Sequence, residues 1–189
     1  MDITQLILDD HHEQRRMFAL LEQIDPSETE ALGAVWSRLA AFLEIHAEAE
    51  ERFFFYPALL RKGRGEGGRD DAADETRDAI KDHNELRQAV AAVAQYHVAT
   101  EEWYAAVAKA NEANGDHMAE EEREGLTDFR RTASLALREK LAVQFVAFEA
   151  QHYRGVKPVD KDPQQYVEAH QLNAARPRHG GLPSAGRVI

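Results

Sequence analysis

The sequence predicts an all-α fold, and two features of the chain lead to this prediction. Of the 189 residues, 31 are Ala and only six are Pro. Ala stabilises helices and Pro interrupts them, so this composition favours helices over strands. Apolar residues also recur every three or four positions over long stretches, as on one buried helical face. The expected architecture is an up-down-up-down four-helix bundle with an additional C-terminal helix and an extended tail.

Two long helices are predicted in the N-terminal third of the chain. Helix A covers residues 3–24, with Asp2 as its N-cap. The Ser-Glu-Thr-Glu stretch at 27–30 has the pattern of a capping box that begins helix B. Helix B is expected to reach about Leu60, with a kink or interruption at Pro57 because proline cannot donate a backbone hydrogen bond.

Three more helices are predicted after a glycine-rich stretch at 61–71, which indicates a loop between the two halves of the chain. Thr100 and Ser134 are suitable N-caps for the last two of these helices. The spacing of apolar residues predicts helix C over 72–96, helix D over 101–124 and a fifth helix over 135–152.

The composition changes after residue 154, which divides the chain into a helical bundle at 1–154 and a tail at 155–189. The bundle carries 18 Lys and Arg against 31 Asp and Glu, a net charge of −13. The tail carries five against three, a net charge of +2, and is rich in Pro and Gly. We expect the tail to be flexible or to dock, either back on the acidic bundle or on a partner chain in a homodimer.

Composition also excludes several classes of function. The chain has no Cys, which excludes disulfides and thiolate metal ligands. Its net charge of −11 would repel nucleic acid and anionic membrane surfaces. No apolar run is long enough to span a membrane and the N-terminus lacks the pattern of a secretory signal, so a cytoplasmic location is expected.

Two helices repeat one pair of metal-binding residue types. On helix B, His46 and Glu50 are four residues apart, so their side chains lie on one face about one turn apart. On helix D, His117 and Glu121 have the same spacing. One such pair is common on a solvated helix, but its recurrence on two helices favours a metal site.

Single His residues on the other two helices share the inward faces. His11 continues the apolar series of helix A, whereas His12 lies among polar neighbours and should face solvent. His83 lies on the apolar stripe of helix C. The other His are expected outside this site, the last three of them exposed to solvent: His97, His152, His170 and His179.

Together the four helices bring four His and two Glu to one level of the bundle core. Burying these groups is unfavourable unless a partner compensates their charge, and a pair of divalent ions would do so. Nitrogen and oxygen ligands suit iron best, with manganese and zinc as alternatives. A metal-free bundle with a hydrogen-bonded polar core stays an alternative. The candidate ligands are His11, His46, Glu50, His83, His117 and Glu121.

The motifs that carry these residues are Asp10-His11, His46-Ala-Glu-Ala-Glu50-Glu51, Asp82-His83-Asn84-Glu85 and His117-Met-Ala-Glu-Glu121-Glu122. Over about residues 1–154 their order resembles the hemerythrin-like, HHE cation-binding family. The resemblance implies a non-haem di-iron centre inside a four-helix bundle. It also implies that the two Glu and an oxo or hydroxo group bridge the irons, and that the protein handles dioxygen, hydrogen peroxide or nitric oxide.

The chain departs from the oxygen-carrying members of that family. Those carriers have His-x-x-x-His on the third helix, whereas here Arg87 stands four residues after His83. Their last motif ends in Asp five residues after the His, rather than in Glu121 at four. One nitrogen ligand is therefore missing, which favours ligand exchange and redox turnover over reversible oxygen carriage. The possible substitutes are Glu51, Glu122 and Tyr56.

Helix B leaves one ligand open. The stretch from His46 to Pro57 is one residue longer than is usual in the family, so a bulge near Phe53 is expected. Either Glu50 or Glu51 then faces the metal.

The expected function is that of a di-iron protein that binds and turns over small oxidants, with a peroxidase, catalase-like or nitric oxide-handling activity. The alternative is a non-catalytic module that uses the same centre to sense or store oxygen or iron.

Overall fold

The computed structural model describes residues 1–53, 55–62 and 72–175, and every regular element in this part of the chain is an α-helix. The predicted all-α class is confirmed. The described helices are α1 (Ile3–Gln23), α2 (Thr29–Phe53), α3 (Phe55–Lys62), α4 (Ala72–Val93), α5 (Glu101–Arg123), α6 (Gly125–Thr132), α7 (Leu135–His152) and α8 (Pro163–Ala175).

The first two helices begin where the sequence predicts, but only one begins with the predicted cap. The Asp2 carboxylate accepts a hydrogen bond from the Thr4 backbone N–H at 3.0 Å, so the N-cap of α1 is confirmed. The capping box predicted at 27–30 is wrong. The Ser27 backbone N–H and hydroxyl both donate to the Asp25 carboxylate, at 2.9 and 2.7 Å. Ser27 therefore closes the turn before α2 instead of capping the helix.

Predicted helix B corresponds to α2 and α3. The bulge expected near Phe53 falls on residue 54, which lies outside the described part. Helix α3 runs through Pro57 to Lys62, so the interruption predicted at Pro57 itself is wrong.

The later helices agree with the prediction to within a few residues. Thr100 caps α5 by accepting from the Trp103 N–H at 3.2 Å, and Ser134 caps α7 by accepting from the Leu137 N–H at 3.3 Å. Helix α4 ends at Val93, three residues earlier than predicted. Helices α6 and α8 were not predicted. The predicted loop at 61–71 starts later, because α3 runs to Lys62, and residues 63–71 lie outside the described part.

The bundle is a ring of four helices, in which α1 contacts α2, α2 contacts α4, α4 contacts α5 and α5 contacts α1. The fifth predicted helix, α7, packs against α1 and α2, and α6 lies against α1, α3 and α5. The four-helix bundle with an additional C-terminal helix is therefore confirmed. No helix in the described ranges has the length and apolar character that a membrane span requires.

The core consists of two apolar clusters with a polar layer between them. On α1, Ile7 belongs to one cluster and Met17 to the other, and His11 lies between them along the helix. On α4, His83 lies in the same way between Ile80 and Leu86. The polar layer is therefore enclosed by apolar side chains at both ends of the bundle, which excludes bulk water from it.

The first part of the predicted tail lies on the bundle. Residues 155–162 form no regular element and lead into α8, which packs against α3 and α4. Helix α8 was not predicted, and docking of the tail through its basic charge stays a prediction. The domain division at residue 155 and the exchange of the tail between two chains stay predictions. Residues 176–189 lie outside the described part.

Helix α7 should be an integral part of the bundle because Phe145 is fully buried, with its ring centroid 5.8 Å from that of His46. We expect Phe145→Ala to lower the free energy of unfolding by about 3–5 kcal/mol, measured by urea denaturation. Val143→Ala on the same helix is the control, because Val143 is 59% exposed and should change stability by less than about 0.5 kcal/mol. Equal effects of the two substitutions would contradict this account of α7.

Candidate metal centre

The six predicted ligands lie together in the polar layer of the bundle. Each of them is buried, with at most 6% of its surface exposed. Four helices supply them at one level: α1 supplies His11, α2 supplies His46 and Glu50, α4 supplies His83, and α5 supplies His117 and Glu121.

The Glu50 carboxylate lies at the middle of this group. Its Oε1 is 3.1 Å from His46 Nε2, and its Oε2 is 3.3 Å from His83 Nε2. The six residues thus contain two compact sets of potential ligand atoms that share Glu50. One set is His11, His46 and Glu50, and the other is Glu50, His83 and His117.

Glu121 closes the opposite side of the centre. Its Oε2 lies 3.3 Å from His11 Nε2, and its Oε1 accepts a hydrogen bond from the Tyr56 hydroxyl at 2.9 Å. His83 Nε2 and His117 Nε2 are 2.9 Å apart. All four imidazoles therefore direct Nε2 to the centre, which is the orientation that a shared metal site requires.

The atoms at the centre meet the conditions of a cation site. Among the described residues, five buried atoms there have no hydrogen-bond partner: His11 Nε2, His46 Nε2, both carboxylate oxygens of Glu50, and Glu121 Oε2. Leaving such atoms unpaired in a dry core is unfavourable. Two ligands about 2.1 Å from one octahedral ion lie about 3 Å apart, which is close to the separations observed here. The residues present therefore fit metal ions.

The outer nitrogens of the four imidazoles face carboxylates from neighbouring helices. In each case an acidic residue on one helix of the ring contacts the His of the next helix, so the contacts run once around the bundle. The distances from carboxylate oxygen to Nδ1 are 3.0 Å for Asp10 and His46, 2.7 Å for Glu51 and His83, 3.8 Å for Asp82 and His117, and 2.9 Å for Glu122 and His11. Carboxylates in this position fix ring orientation and raise the basicity of a ligating imidazole.

The positions of these outer carboxylates in the sequence could have predicted their role, although no such role was predicted. Each of them is adjacent in sequence to one of the six central residues, as in the Asp-His dipeptides of α1 and α4 and the Glu-Glu dipeptides of α2 and α5. Glu51 and Glu122, considered as substitute ligands, contact outer nitrogens in this structure. On α2 it is Glu50 that reaches the centre.

Arg87 occupies the position where the oxygen carriers have a further His. Its guanidinium is buried, with Nε 3.0 Å from both Glu44 oxygens and Nη2 3.0 Å from Glu51 Oε1. It therefore compensates two buried carboxylates and does not reach the centre.

Burial and neighbouring charges oppose each other in the pKa values of the centre. Burial acts to lower the pKa of His83, but the carboxylates of Glu50 and Glu51 outweigh it and raise that pKa to about 9. The same balance, with Glu50 and Asp10 as partners, raises the pKa of His46 well above its ordinary value. Burial acts to raise the pKa of Glu50, yet the charges of His46 and His83 hold it well below its usual range.

The other His residues lie outside the centre. His12 is exposed, as expected, and His97 is exposed as well. His152 and His170 are half-buried rather than exposed, because their rings lie on Phe148 and Tyr166. His179 lies outside the described residues.

A small cleft of about 50 Å³ reaches the centre from the surface beside α4 and α5. Two of the six central residues, His117 and Glu121, border it together with Tyr56. The rest of its lining is strongly acidic and includes Glu75, Asp78, Asp82, Glu120 and Glu124. The negative electrostatic potential of these residues disfavours the entry of anions, whereas neutral molecules and cations can enter the cleft.

A ring of helices with buried imidazoles and carboxylates directed to one point defines a cation-binding helical bundle. The family model of the hemerythrin HHE cation binding domain matches residues 2–127. The chain therefore belongs to this family of metal-binding domains, and the resemblance drawn from the motifs is confirmed. The match ends within α6, so α7 and α8 lie beyond it. Searches of curated proteins and of solved structures find no match.

Metal uptake should release protons, because metals bind neutral imidazole and the pKa of His83 in the metal-free protein is about 9. We expect release at pH 7 when Zn²⁺ or Fe²⁺ is added to weakly buffered protein, and less release from protein equilibrated above pH 9. The raised pKa also means that the ion pairs of His83 stabilise the metal-free fold fully below about pH 6.5, and this stabilisation is lost as pH rises through about 9.

His83→Gln should release fewer protons, whereas His12→Gln should behave as the unaltered protein, because His12 is exposed. Metal binding at pH 7 without proton release would contradict these charge states.

Proposed function

We propose that the centre holds two iron ions and that the protein binds and turns over a small neutral oxidant. The sharing of Glu50 between two sets of ligand atoms carries this proposal, because one carboxylate with an imidazole on each oxygen is suited to bridge two ions. A ligand set of nitrogen and oxygen without thiolate favours iron, with manganese or zinc as alternatives.

In this proposal each set of ligand atoms holds one ion. His11, His46 and Glu50 would hold the first ion, and Glu50, His83 and His117 the second. Glu121 reaches His11 with one oxygen and shares the helix of His117, so it would complete the bridge.

Two iron ions there would supply electrons and open coordination positions to hydrogen peroxide, nitric oxide or dioxygen. Because Arg87 replaces a nitrogen ligand beside His83, the second ion would keep a position for exchange. The acidic cleft beside His117 and Glu121 leads to this part of the centre and favours neutral ligands over anions.

The chain also supplies a hydrogen-bond donor and a dry environment. Tyr56 is buried, and burial together with the charges of Glu121 and Glu50 raises the pKa of its phenol well above the ordinary value. It therefore stays a neutral donor to Glu121, which fixes that carboxylate beside the cleft. The two apolar clusters that enclose the centre strengthen such contacts by excluding water.

A non-catalytic sensing or storage role is the second candidate, because residues 155–175 beyond the matched domain lie on the bundle near the centre and would connect it to a partner. We propose a cytoplasmic location for the protein with either function. Repeated turnover distinguishes the two functions.

We expect the protein to bind about two irons per chain. The iron-loaded protein should consume many equivalents of hydrogen peroxide, measured as the decrease in the ultraviolet absorbance of the peroxide. His46→Ala should lose iron and activity together, because His46 belongs to the centre. The matched control is His12→Ala, which removes an exposed His next to His11 and should change neither. Consumption of a single equivalent of peroxide would favour sensing or storage. No bound transition metal after iron-replete expression would contradict both functions.

A further inference from the structure

The segment 155–162, called here the strap, has no regular secondary structure and contacts α4 through Asn84 and α2 through Glu48. It begins at Gly155, whose φ of +113° would be strained in other residues. A Cβ at Gly155 would lie 3.8 Å from Ala41 Cβ on α2. The strap and α8 lie outside the residues that match the family domain.

The end of the strap is held beside the metal centre. The Asn84 side chain donates to the Lys161 carbonyl at 2.7 Å and accepts from the Lys161 backbone N–H at 3.0 Å. Asn84 follows His83 on α4, so this two-way hydrogen bond places Lys161 at the level of the centre.

The Lys161 ammonium group reaches the carboxylate that supports His83. Its Nζ contacts Glu51 and also lies 2.5 Å from Glu48 Oε2. Glu51 is fully buried, and its other oxygen lies 2.7 Å from His83 Nδ1 and 3.0 Å from Arg87 Nη2. The Tyr166 hydroxyl of α8 donates to the Glu51 backbone carbonyl, so the C-terminal segment contacts both ends of this residue.

Three neighbouring groups favour the charged form of Glu51. Burial acts to raise the pKa of Glu51, but His83, Arg87 and Lys161 lower it to about 2, so the group is a carboxylate at neutral pH. A carboxylate on the outer nitrogen makes an imidazole a stronger electron donor to its metal, and a cation on that carboxylate reduces this effect.

We propose that Lys161 is a positioning residue of the metal centre, which fixes the Glu51 carboxylate against His83 and raises the reduction potential of the ion that His83 holds. The inference rests on the proposed iron centre. The C-terminal segment would thus adjust the reduction potential of the centre through Lys161. The other cation beside Glu51 is Arg87, which belongs to the matched domain. Loss of the positive charge leaves the negative charge of Glu51 less compensated, which favours the oxidised ion.

The test compares Lys161→Met, Lys161→Arg and Lys157→Met in the full-length, iron-loaded protein. Lys161→Met keeps the apolar stem without the charge, and Lys161→Arg keeps the charge. Lys157 is an exposed residue of the same strap and is the matched control. The midpoint potential is measured by spectroelectrochemical titration, iron content by elemental analysis and stability of the metal-free protein by thermal unfolding.

We expect Lys161→Met to retain its iron and to have a lower midpoint potential. A tenfold change in the relative affinity for the two oxidation states equals about 59 mV for a one-electron couple, and the shift should be of that order. Lys161→Arg should restore most of the potential, and Lys157→Met should leave it unchanged.

An unchanged potential in Lys161→Met, with or without a lower melting temperature, would overturn the inference, because a merely structural strap changes stability alone. Absence of iron from the unaltered protein would instead overturn the proposed function. The two failures are therefore distinguishable.

Discussion

Six ionisable side chains in a dry layer of the core constrain the rest of this structure. The Glu50 carboxylate is fully buried. Its two oxygens face imidazoles but form no hydrogen bond with them. Burying an unpaired ion costs several kcal/mol, so such a layer needs compensating charge on every side. The centre, its outer carboxylates and the cations beyond them meet this requirement in successive shells.

The contacts around the centre run in one direction through the helix ring. Each helix of the ring supplies a central residue and, next to it in sequence, a carboxylate for the His of the following helix. Rotation of one helix would therefore disturb two imidazoles at once. This linkage makes the four helices depend on one another, and it explains why the polar layer can be ordered between two apolar clusters.

The outer carboxylates of the four imidazoles differ in the number of cations that contact them. The carboxylate beside His83 contacts two cations, Arg87 and Lys161. In the described part of the chain, the carboxylate beside His11 contacts only one, the exposed Arg15. The two ions of the proposed centre would therefore have unequal surroundings.

Much of this arrangement could be predicted from the sequence, because helical spacing alone determines which side chains share a face. The apolar series of α1 distinguishes His11 from His12, and the repeated pair on α2 and α5 indicates Glu50 and Glu121. The contacts between helices were harder to predict from the sequence. That Glu51 supports His83 depends on the rotation of α2 against α4, which local spacing does not determine.

The remaining errors have similar physical reasons. Ser27 had two possible partners for its hydroxyl, and the nearby Asp25 carboxylate was preferred over the helix end. Helix α8 has little apolar periodicity of its own. It is held by contacts with α3 and α4 and by the hydrogen bond from the Tyr166 hydroxyl to the Glu51 carbonyl of α2. Tertiary contacts of this kind have no local signal in sequence.

The claim that the centre holds a pair of ions is tested most directly by crystallography of the iron-loaded protein, with anomalous diffraction measured at the iron edge. The account predicts two peaks about 3.5–4 Å apart on either side of the Glu50 carboxylate, one beside His11 and His46 and one beside His83 and His117. A single peak, or iron bound only outside this layer, would contradict it.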